Sequence, residues 1–156
     1  MGNIKRIMVA LDLSPYSREV LDYAAEVVAN TGADLVILNV INKRDIDAAK
    51  HAISMEHPGG FSITKYLQDD MGRRSRQIDD LIREIFPDPG HIRTTFRDGN
   101  PVEEIVNAIT EEKADFVIIG HKGRSDRPGI SFGSTAEKVF KHSPVPVLSI
   151  RPPPTK

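Results

Sequence analysis

One stretch of the chain, GHKGRSDRPGISFGST at residues 120–135, combines residue types that can bind a polyphosphate. Gly120 and Gly123 let the backbone approach an anion closely and adopt positive φ, so that peptide N–H groups can form a nest around it. Gly133 and Ser134 stand where a helix is predicted to begin, and free amides at a helix N-terminus favour negative charge. Three cationic side chains lie in the same loop: Lys122, Arg124 and Arg127. The stretch therefore predicts an anion site.

The spacing of this glycine loop differs from that of two common nucleotide-binding motifs. A Walker loop needs Gly-Lys-Ser/Thr at the start of the helix, and a dinucleotide fingerprint needs GxGxxG after a strand. Here the order is glycine, two residues, glycine, nine residues, glycine and then serine. The loop is therefore neither of those motifs.

Each candidate site residue also has a purely structural explanation. Ser134 and Glu137 fit an S-x-x-E capping box, in which the serine hydroxyl satisfies the helix instead of a phosphate. Asp12, which follows the first apolar run, can form an Asx turn ahead of Ser14. The three cations are also compatible with a solvated loop. The sequence leaves these alternatives open.

The five histidines show no metal-ligand spacing, and His121, inside the glycine loop, is expected to be exposed. The sequence contains no Ser-His-Asp arrangement, HExxH motif or pair of catalytic carboxylates that could be defended. We therefore expect neither a hydrolase active site nor metal ligands from side chains.

Composition narrows the possible partners and compartments. The 156 residues are 39% hydrophobic and 28% charged, as in a soluble domain, and the formal charge of -1 makes nucleic acid and anionic membranes improbable partners. The absence of cysteine rules out disulfides and thiolate chemistry. The apolar run Ile7–Leu11 is too short for a signal peptide or a membrane span, so we expect a cytoplasmic protein.

Short apolar runs predict the strands that must position the glycine loop. Continuous rather than alternating apolarity is typical of strands that are buried on both faces of a parallel sheet. The predicted strands are Ile7–Leu11, Leu35–Leu38 with Val40–Ile41, a weaker one at His91–Phe96, Phe116–Ile119 and Val145–Ile150.

Helical periodicity separates these strands. Ser14 is the predicted N-cap of the first helix, Pro15 its first residue and Gly32 its stop. A second helix is predicted over residues 64–86. The apolar stripe of the first helix is Val20, Ala24, Val27 and Val28, and that of the second is Met71, Ile78, Leu81, Ile82 and Ile85.

Two further helices follow. Asn100 caps the third, with Pro101 in its first turn and Glu103 completing a capping box, so that Ile105, Val106 and Ile109 face the sheet. The fourth runs from about Ser134 to Lys141 and is closed by Pro144. Its inward residues are predicted to be Ala136, Val139 and Phe140.

The alternation of strands and helices predicts one α/β domain over residues 1–156 with a Rossmann-like, doubly wound parallel sheet. We expect the strand order 3-2-1-4-5. Ligands in such sheets bind beyond the carboxyl ends of the strands, where the strand order reverses. Residues 42–63 are expected to be a mobile surface excursion, and residues 151–156 a short tail.

The whole pattern resembles the ATP-binding members of the universal stress protein family, whose fold is of the adenine nucleotide alpha hydrolase type. The resemblance rests on the glycine spacing and covers nearly the whole chain. It includes ALDLS at residues 10–14, LNV at 38–40, GNP at 99–101 and PVPVL at 144–148. Two positions depart from the family: Asn39 stands where many relatives have His, and Thr135 where Val is common. Neither change removes a hydrogen-bond donor.

The resemblance implies a role for each matching position around ATP, ADP or AMP. Asp12, next to Ala10 at the end of the first strand, matches the acidic residue at the nucleoside end, and Val40 matches the residue whose backbone meets the adenine. The remaining positions match the residues beside ribose and phosphates: Gly120, Lys122, Gly123, Arg124, Gly133, Ser134 and Thr135. A magnesium ion would bridge the phosphates and be held mainly by them.

The family also implies a homodimer. Pro144 and Pro146 suit an edge strand, because each lacks an N–H for an interior ladder, and the exposed apolar edge from Val145 to Ile150 invites a second copy. We expect a regulatory or stress-response protein that binds ATP, hydrolyses it slowly at most and acts on an unidentified protein partner. The alternatives are a nucleotide-free interaction module of the same family, an adenylating enzyme of related fold and a phospho-acceptor domain.

Overall fold

A five-stranded parallel sheet forms the centre of the computed structural model, which describes residues 3–56, 62–121 and 133–151. The strands lie in the order β3-β2-β1-β4-β5, and each neighbouring pair is parallel. This confirms the predicted fold class and strand order. The strands are β1 Arg6–Ala10, β2 Asp34–Asn42, β3 Ile92–Gly99, β4 Phe116–Gly120 and β5 Val147–Ile150.

Helices cover both faces of the sheet, which explains the continuous apolar runs. Alternate residues of β1 enter different cores: Ile7 and Val9 pack on one face, and Met8 and Ala10 on the other. The first core receives α1 and α3, and the second receives α4 and α5. The helices are α1 Ser17–Thr31, α2 Lys43–Glu56, α3 Ile63–Ile85, α4 Pro101–Glu111 and α5 Ser134–His142.

The helix ends follow the predictions unevenly. Gly32 ends α1 with φ 70°, where a side chain would be strained, and the Asn100 side chain accepts a hydrogen bond from the Glu103 N–H at 3.2 Å. The predicted start of α1 is wrong: Ser14 is not its N-cap, because its hydroxyl accepts from the Tyr16 N–H in a turn that delays the helix to Ser17. Pro15 lies in that turn.

Most of the surface excursion expected at residues 42–63 is helical. Residues 43–56 form α2, whose first turn is capped by the Asn42 side chain accepting from the Arg44 N–H at 3.0 Å. Its only buried residue is Ile46, so the apolar periodicity that reveals other helices is weak here. Residues 57–61 lie outside the described residues.

Two residues predicted to face the core are exposed instead. Phe140 is 60% exposed, because it lies about 100° around α5 from Val139, which packs toward α4 and the sheet. Met71 is 42% exposed, in the first half of α3, whereas Ile78 further along the helix is fully buried. β5 begins at Val147 rather than Val145, since the two prolines precede the ladder. Of the predicted tail, Arg151 alone is described.

Candidate functional site

The strand order reverses at β1, and in open α/β sheets a crevice forms at such a point, here beyond the carboxyl ends of β1, β2 and β4. From β1 the chain moves outward through β2 and β3, and it then crosses back to β4 on the other side. Ala10 pairs with Leu38 of β2 and with Ile119 of β4, so the segments after these three strands emerge side by side. In open α/β sheets this is the position at which ligands bind.

The segment after β1 is a sharply bent loop with Asp12 exposed near its start. The Asp12 carboxylate accepts a hydrogen bond from the Ser14 N–H at 3.0 Å, so the Asx turn predicted as the structural alternative is present. Leu13 has φ 58°, a left-handed conformation that costs about 1 kcal/mol in a non-glycine residue. A carboxylate has two oxygens and several lone pairs, so the turn leaves capacity to bind a ligand.

The segment of β2 beside this loop presents an open peptide edge at Val40. The β1–β2 register ends at Ala10 and Leu38, with one further bond from the Leu11 N–H to the Leu38 carbonyl at 2.9 Å. Successive residues of a strand point their peptide groups to opposite neighbours, so the N–H and carbonyl of Val40 face the side on which β1 has ended. Val40 is half-buried there.

The end of β4 joins the start of α5, as the glycine-loop prediction requires. The Gly133 N–H donates to the His121 carbonyl at 2.8 Å, and the His121 N–H donates to the Ile150 carbonyl at 2.7 Å. The expectation that His121 is exposed is wrong: it is 4% exposed, with Nδ1 3.3 Å from the Ser149 hydroxyl oxygen. Its ring therefore lies against β5, directly after the end of β4.

The first residues of α5 offer peptide amides rather than a capped end. Gly133 is the N-cap and makes no side-chain cap, so Ser134 is the first helical residue and the predicted capping box is wrong. Glu137 pairs with Lys141 at 3.0 Å instead. Ser134 is exposed and Thr135 half-buried. The first amides of a helix have no partner within the helix, and together with the positive end of the helix dipole they suit an anion.

The remaining predicted site residues divide into two groups. Gly120 and Ala10 end their strands, and because the Ala10 side chain is buried in the core, only its backbone can face a ligand. The other group lies outside the described residues: Lys122, Gly123 and Arg124, together with Arg127.

One cation beside the crevice belongs to the scaffold. Arg97 of β3 stands opposite Val40 in the register, but its guanidinium pairs with Glu111 and, at 3.5 Å, with Glu104, both on α4. The hydrogen bond with Glu111 raises the pKa of Arg97 above its ordinary value. Its charge is therefore used to join β3 to α4.

The described segments contain neither a metal-binding cluster nor a membrane-spanning helix. Within residues 3–56, 62–121 and 133–151, no group of His, Cys, Asp and Glu side chains is arranged to hold a metal ion. None of the helices in these segments is long and apolar enough to cross a membrane.

Comparison with known families decides what kind of protein carries this crevice. A model described as the universal stress protein family matches residues 3–151. The chain belongs to this family. Among its relatives, Universal stress protein MJ0531 of Methanocaldococcus jannaschii is 24% identical over 150 residues, covering 96% of this chain and 83% of that protein. Universal stress protein Rv1636 of Mycobacterium tuberculosis is 29% identical over 154 residues, covering 96% and 98%.

Solved structures show the same universal stress protein fold. MJ0577 superposes with a TM-score of 0.81 at 22% identity, over 99% of this chain and all of that one. A universal stress protein in complex with cAMP matches at 0.63 and 23% identity, over 96% and 98% of the chains. One from Archaeoglobus fulgidus in complex with dAMP matches at 0.52 and 21%, over 96% and 99%. At these identities the comparison establishes the fold alone.

A buried polar chain behind the crevice of this universal stress protein was not predicted. Asn39 of β2 is fully buried and joins the Leu11 carbonyl to Arg74 of α3, which in turn pairs with Asp70. One signal was available in the sequence, since an asparagine interrupts the apolar run LVILNVI and must find partners. The i,i+4 spacing of Asp70 and Arg74 was a second signal.

Proposed function

We propose that this universal stress protein binds ATP, or a related adenine nucleotide, in the crevice beyond β1, β2 and β4. In the proposal the protein is a cytoplasmic homodimer, and nucleotide occupancy changes its contacts with a protein partner. Binding rather than turnover is the function. Hydrolysis needs a general base that activates water, and apart from Asp12 the sequence offers no candidate that could be defended, so hydrolysis would be slow.

The open peptide edge of Val40 is the observation that carries the proposal. Adenine presents an acceptor at N1 and a donor at N6, and one strand residue with a free N–H and carbonyl can pair with both. Guanine presents the opposite order, with a donor at N1 and an acceptor at O6, and would meet like groups in the same pose. Val40 therefore favours adenine over guanine.

The phosphate end of the proposed site is the start of α5 and the glycine loop before it. The N–H groups of Ser134, Thr135 and Ala136 have no partner within the helix, and the helix dipole also favours negative charge at this start. Ser134 and Thr135 add hydroxyl groups, and Lys122 and Arg124 would add cations from the loop. Mg²⁺, if bound, would be held mainly by the phosphates and would neutralise part of their charge.

Two structural neighbours support an adenine nucleotide as the ligand class. One is a universal stress protein in complex with cAMP, and the other is a universal stress protein from Archaeoglobus fulgidus in complex with dAMP. Both ligands contain adenine, which is the part that Val40 is proposed to read. ATP carries more phosphates than cAMP or dAMP, and its binding is therefore a further step of the proposal.

Calorimetric titration of Mg-ATP tests the site most directly. Val40→Pro removes the N–H that faces the crevice but leaves the β2–β3 ladder intact, because that N–H points away from β3. Val40→Ala retains the N–H and is the matched control. We expect wild type and Val40→Ala to bind with a dissociation constant in the micromolar range, and Val40→Pro to bind at least about tenfold more weakly.

Two further arms separate the competing functions. Gly123→Val should weaken Mg-ATP binding if the glycine loop holds phosphates, and Mg-GTP should bind wild type more weakly than Mg-ATP. If wild type gives no heat with any adenine nucleotide and releases none on denaturation, the nucleotide-free interaction module is the correct function. Equal binding of ATP by Val40→Pro and wild type would refute the role of the peptide edge.

The proposed homodimer forms through the outer edge of β5, which pairs with β4 on one side only. The Pro146 and Ile150 carbonyls accept hydrogen bonds from the β4 side, so the alternate residue Val147 directs its N–H outward. Val147→Pro should therefore shift sedimentation from dimer to monomer without breaking the β4–β5 ladder, whereas Val147→Ala should stay dimeric. A wild-type monomer at high concentration would contradict the dimer.

A further inference from the structure

A chain of buried polar groups runs from α3 to the end of β1. The Asp70 carboxylate, 4% exposed, accepts from Arg74 Nε at 2.8 Å, and Arg74 Nη1 donates to Asn39 Oδ1 at 3.0 Å. Asn39 Nδ2 then donates to the Leu11 carbonyl at 2.8 Å. We name Asp70, Arg74 and Asn39 the relay. Arg73, on the surface, also pairs with Asp70, so the buried carboxylate has two cationic partners.

The relay determines which way the Asn39 amide points. A guanidinium has donors and no acceptor, so only the amide oxygen of Asn39 can face Arg74. The amide NH₂ must therefore face Leu11, where it finds a carbonyl. Without Arg74 both orientations of the amide would be possible, and in one of them two oxygens would face each other.

The bond from Asn39 to Leu11 replaces a bond of the sheet. In a regular continuation of the β1–β2 ladder, the Leu11 carbonyl would accept from the Val40 N–H, because the Leu11 N–H already donates to Leu38. The register instead ends at Ala10 and Leu38, and the Asn39 side chain takes the carbonyl. The ladder therefore stops one step early, and the Val40 N–H stays open.

We propose that Asp70, Arg74 and Asn39 are positioning residues for the crevice: they hold the Leu11 carbonyl away from Val40 and fix the loop that carries Asp12. The benefit to ligand binding rests on the proposed nucleotide site. The effect of the three residues on the end of the β1–β2 ladder does not depend on that site. The three residues touch no ligand themselves. They keep one peptide edge available and place one carboxylate beside it.

The composition of the relay argues against a purely stabilising role. A well-packed apolar cluster in place of a buried ion pair is often as stable or more stable, so a buried pair is weak evidence for stability. An apolar residue at position 39 would also free the Leu11 carbonyl to complete the ladder. The relay thus prevents the last regular hydrogen bond of the β1–β2 ladder, and the gap that remains lies where the proposed ligand would bind.

The test combines Mg-ATP calorimetry with amide hydrogen exchange of the nucleotide-free protein. The main variant is Arg74→Met, and the double variant Asp70→Asn with Arg74→Met removes both charges in case the single change prevents folding. Arg83→Met is the matched control, since Arg83 lies on the same helix and pairs with Asp80 on the surface. The diagnostic amides are those of Ser14, which donates to Asp12, and Val40.

We expect the relay variants to bind Mg-ATP about tenfold more weakly than wild type and Arg83→Met. The Ser14 amide should exchange faster, because its loop is released, whereas the Val40 amide should exchange more slowly, because the Leu11 carbonyl closes onto it. A merely structural role would speed exchange at both amides. Slower exchange at Val40 is therefore the decisive result.

Three outcomes would overturn the inference: unchanged exchange at Ser14 and Val40 in both relay variants, uniformly faster exchange across the sheet, or unchanged Mg-ATP affinity in variants that still fold. Failure of the proposed function looks different. If wild type binds no nucleotide, the proposed function is wrong. The exchange rates of the Ser14 and Val40 amides still decide whether the relay controls the end of the β1–β2 ladder.

Discussion

The two ends of the parallel sheet use polar groups in opposite ways. At the amino end, the Asp115 carboxylate accepts from the Lys5 and Arg6 N–H groups at 2.9 and 3.0 Å and so closes the start of β1. At the carboxyl end, Asn39 takes the Leu11 carbonyl and leaves the next amide of β2 open. At the amino end of β1 a side chain satisfies the backbone N–H groups, whereas at the carboxyl end a side chain interrupts the ladder of backbone hydrogen bonds.

The two ends also differ in exposure. Asp70 and Arg74 have side chains that are 5% and 12% exposed, whereas Arg93 and His91 at the amino end are more than half exposed. Buried charges interact strongly, and the loss of one partner leaves the other without solvent or counter-ion. Exposed pairs contribute little and are screened by salt. The comparison teaches that the fold depends on the buried polar groups at the carboxyl end of the sheet far more than on the exposed pairs at the amino end.

Asp70→Ala should have the largest effect on stability, because it leaves the Arg74 guanidinium largely buried beside Asn39 with no carboxylate. We expect the free energy of unfolding to fall by about 3 kcal/mol, measured by urea denaturation at neutral pH. Asp80→Ala on the same helix removes a carboxylate whose side chain is 63% exposed, and should change stability by less than about 1 kcal/mol.

Equal losses of unfolding free energy in Asp70→Ala and Asp80→Ala would contradict this distinction between buried and exposed charges. They would show that the charge of α3 as a whole, rather than the buried position of Asp70, determines the effect. A loss at Asp70 that disappears in high salt would point the same way, since screening acts on exposed pairs and scarcely on buried ones.

The fold could be predicted because its signals are local. The apolar runs predict β1, β2 and β4, and Gly32 and Asn100 mark helix ends through backbone conformation and capping. Two of the failures share a cause. The exposed face of α2 and the outward position of Phe140 depend on where a helix meets the rest of the chain, which periodicity alone does not contain.

The sequence predicts the candidate site only in its outline. The sequence indicates a loop, a helix start and two flanking strand ends, and in the structure the Gly133 N–H donates to the carbonyl of His121, the residue that follows Gly120. The sequence does not indicate that His121 is buried against Ser149. The relay escaped prediction because Asn39 and Arg74 are 35 residues apart, and only the packing of α3 on the sheet brings them together.

Glu112→Gln should produce a smaller loss, at the amino end of the sheet. Glu112 lies beyond α4 and pairs with Arg93 of β3, and its side chain is 17% exposed. The hydrogen bond from Arg93 lowers the pKa of Glu112, and nearby positive charges add to this effect. We expect a loss of about 1 kcal/mol at neutral pH, measured by urea denaturation, because Arg93 is half exposed and solvent compensates for its lost partner.

The pH dependence of that loss sharpens the comparison. Because the pKa of Glu112 is lower in the folded than in the unfolded protein, its stabilising contribution is complete above the unfolded value of about 4.3 and disappears as pH falls through the folded value. Wild type and Glu112→Gln should therefore converge in acid. Asp34→Asn, which removes the exposed partner of His91, is the control and should differ little from wild type at neutral pH. A Glu112→Gln deficit that persists well below pH 4 would show that packing of the side chain, rather than its charge, holds this end of the sheet.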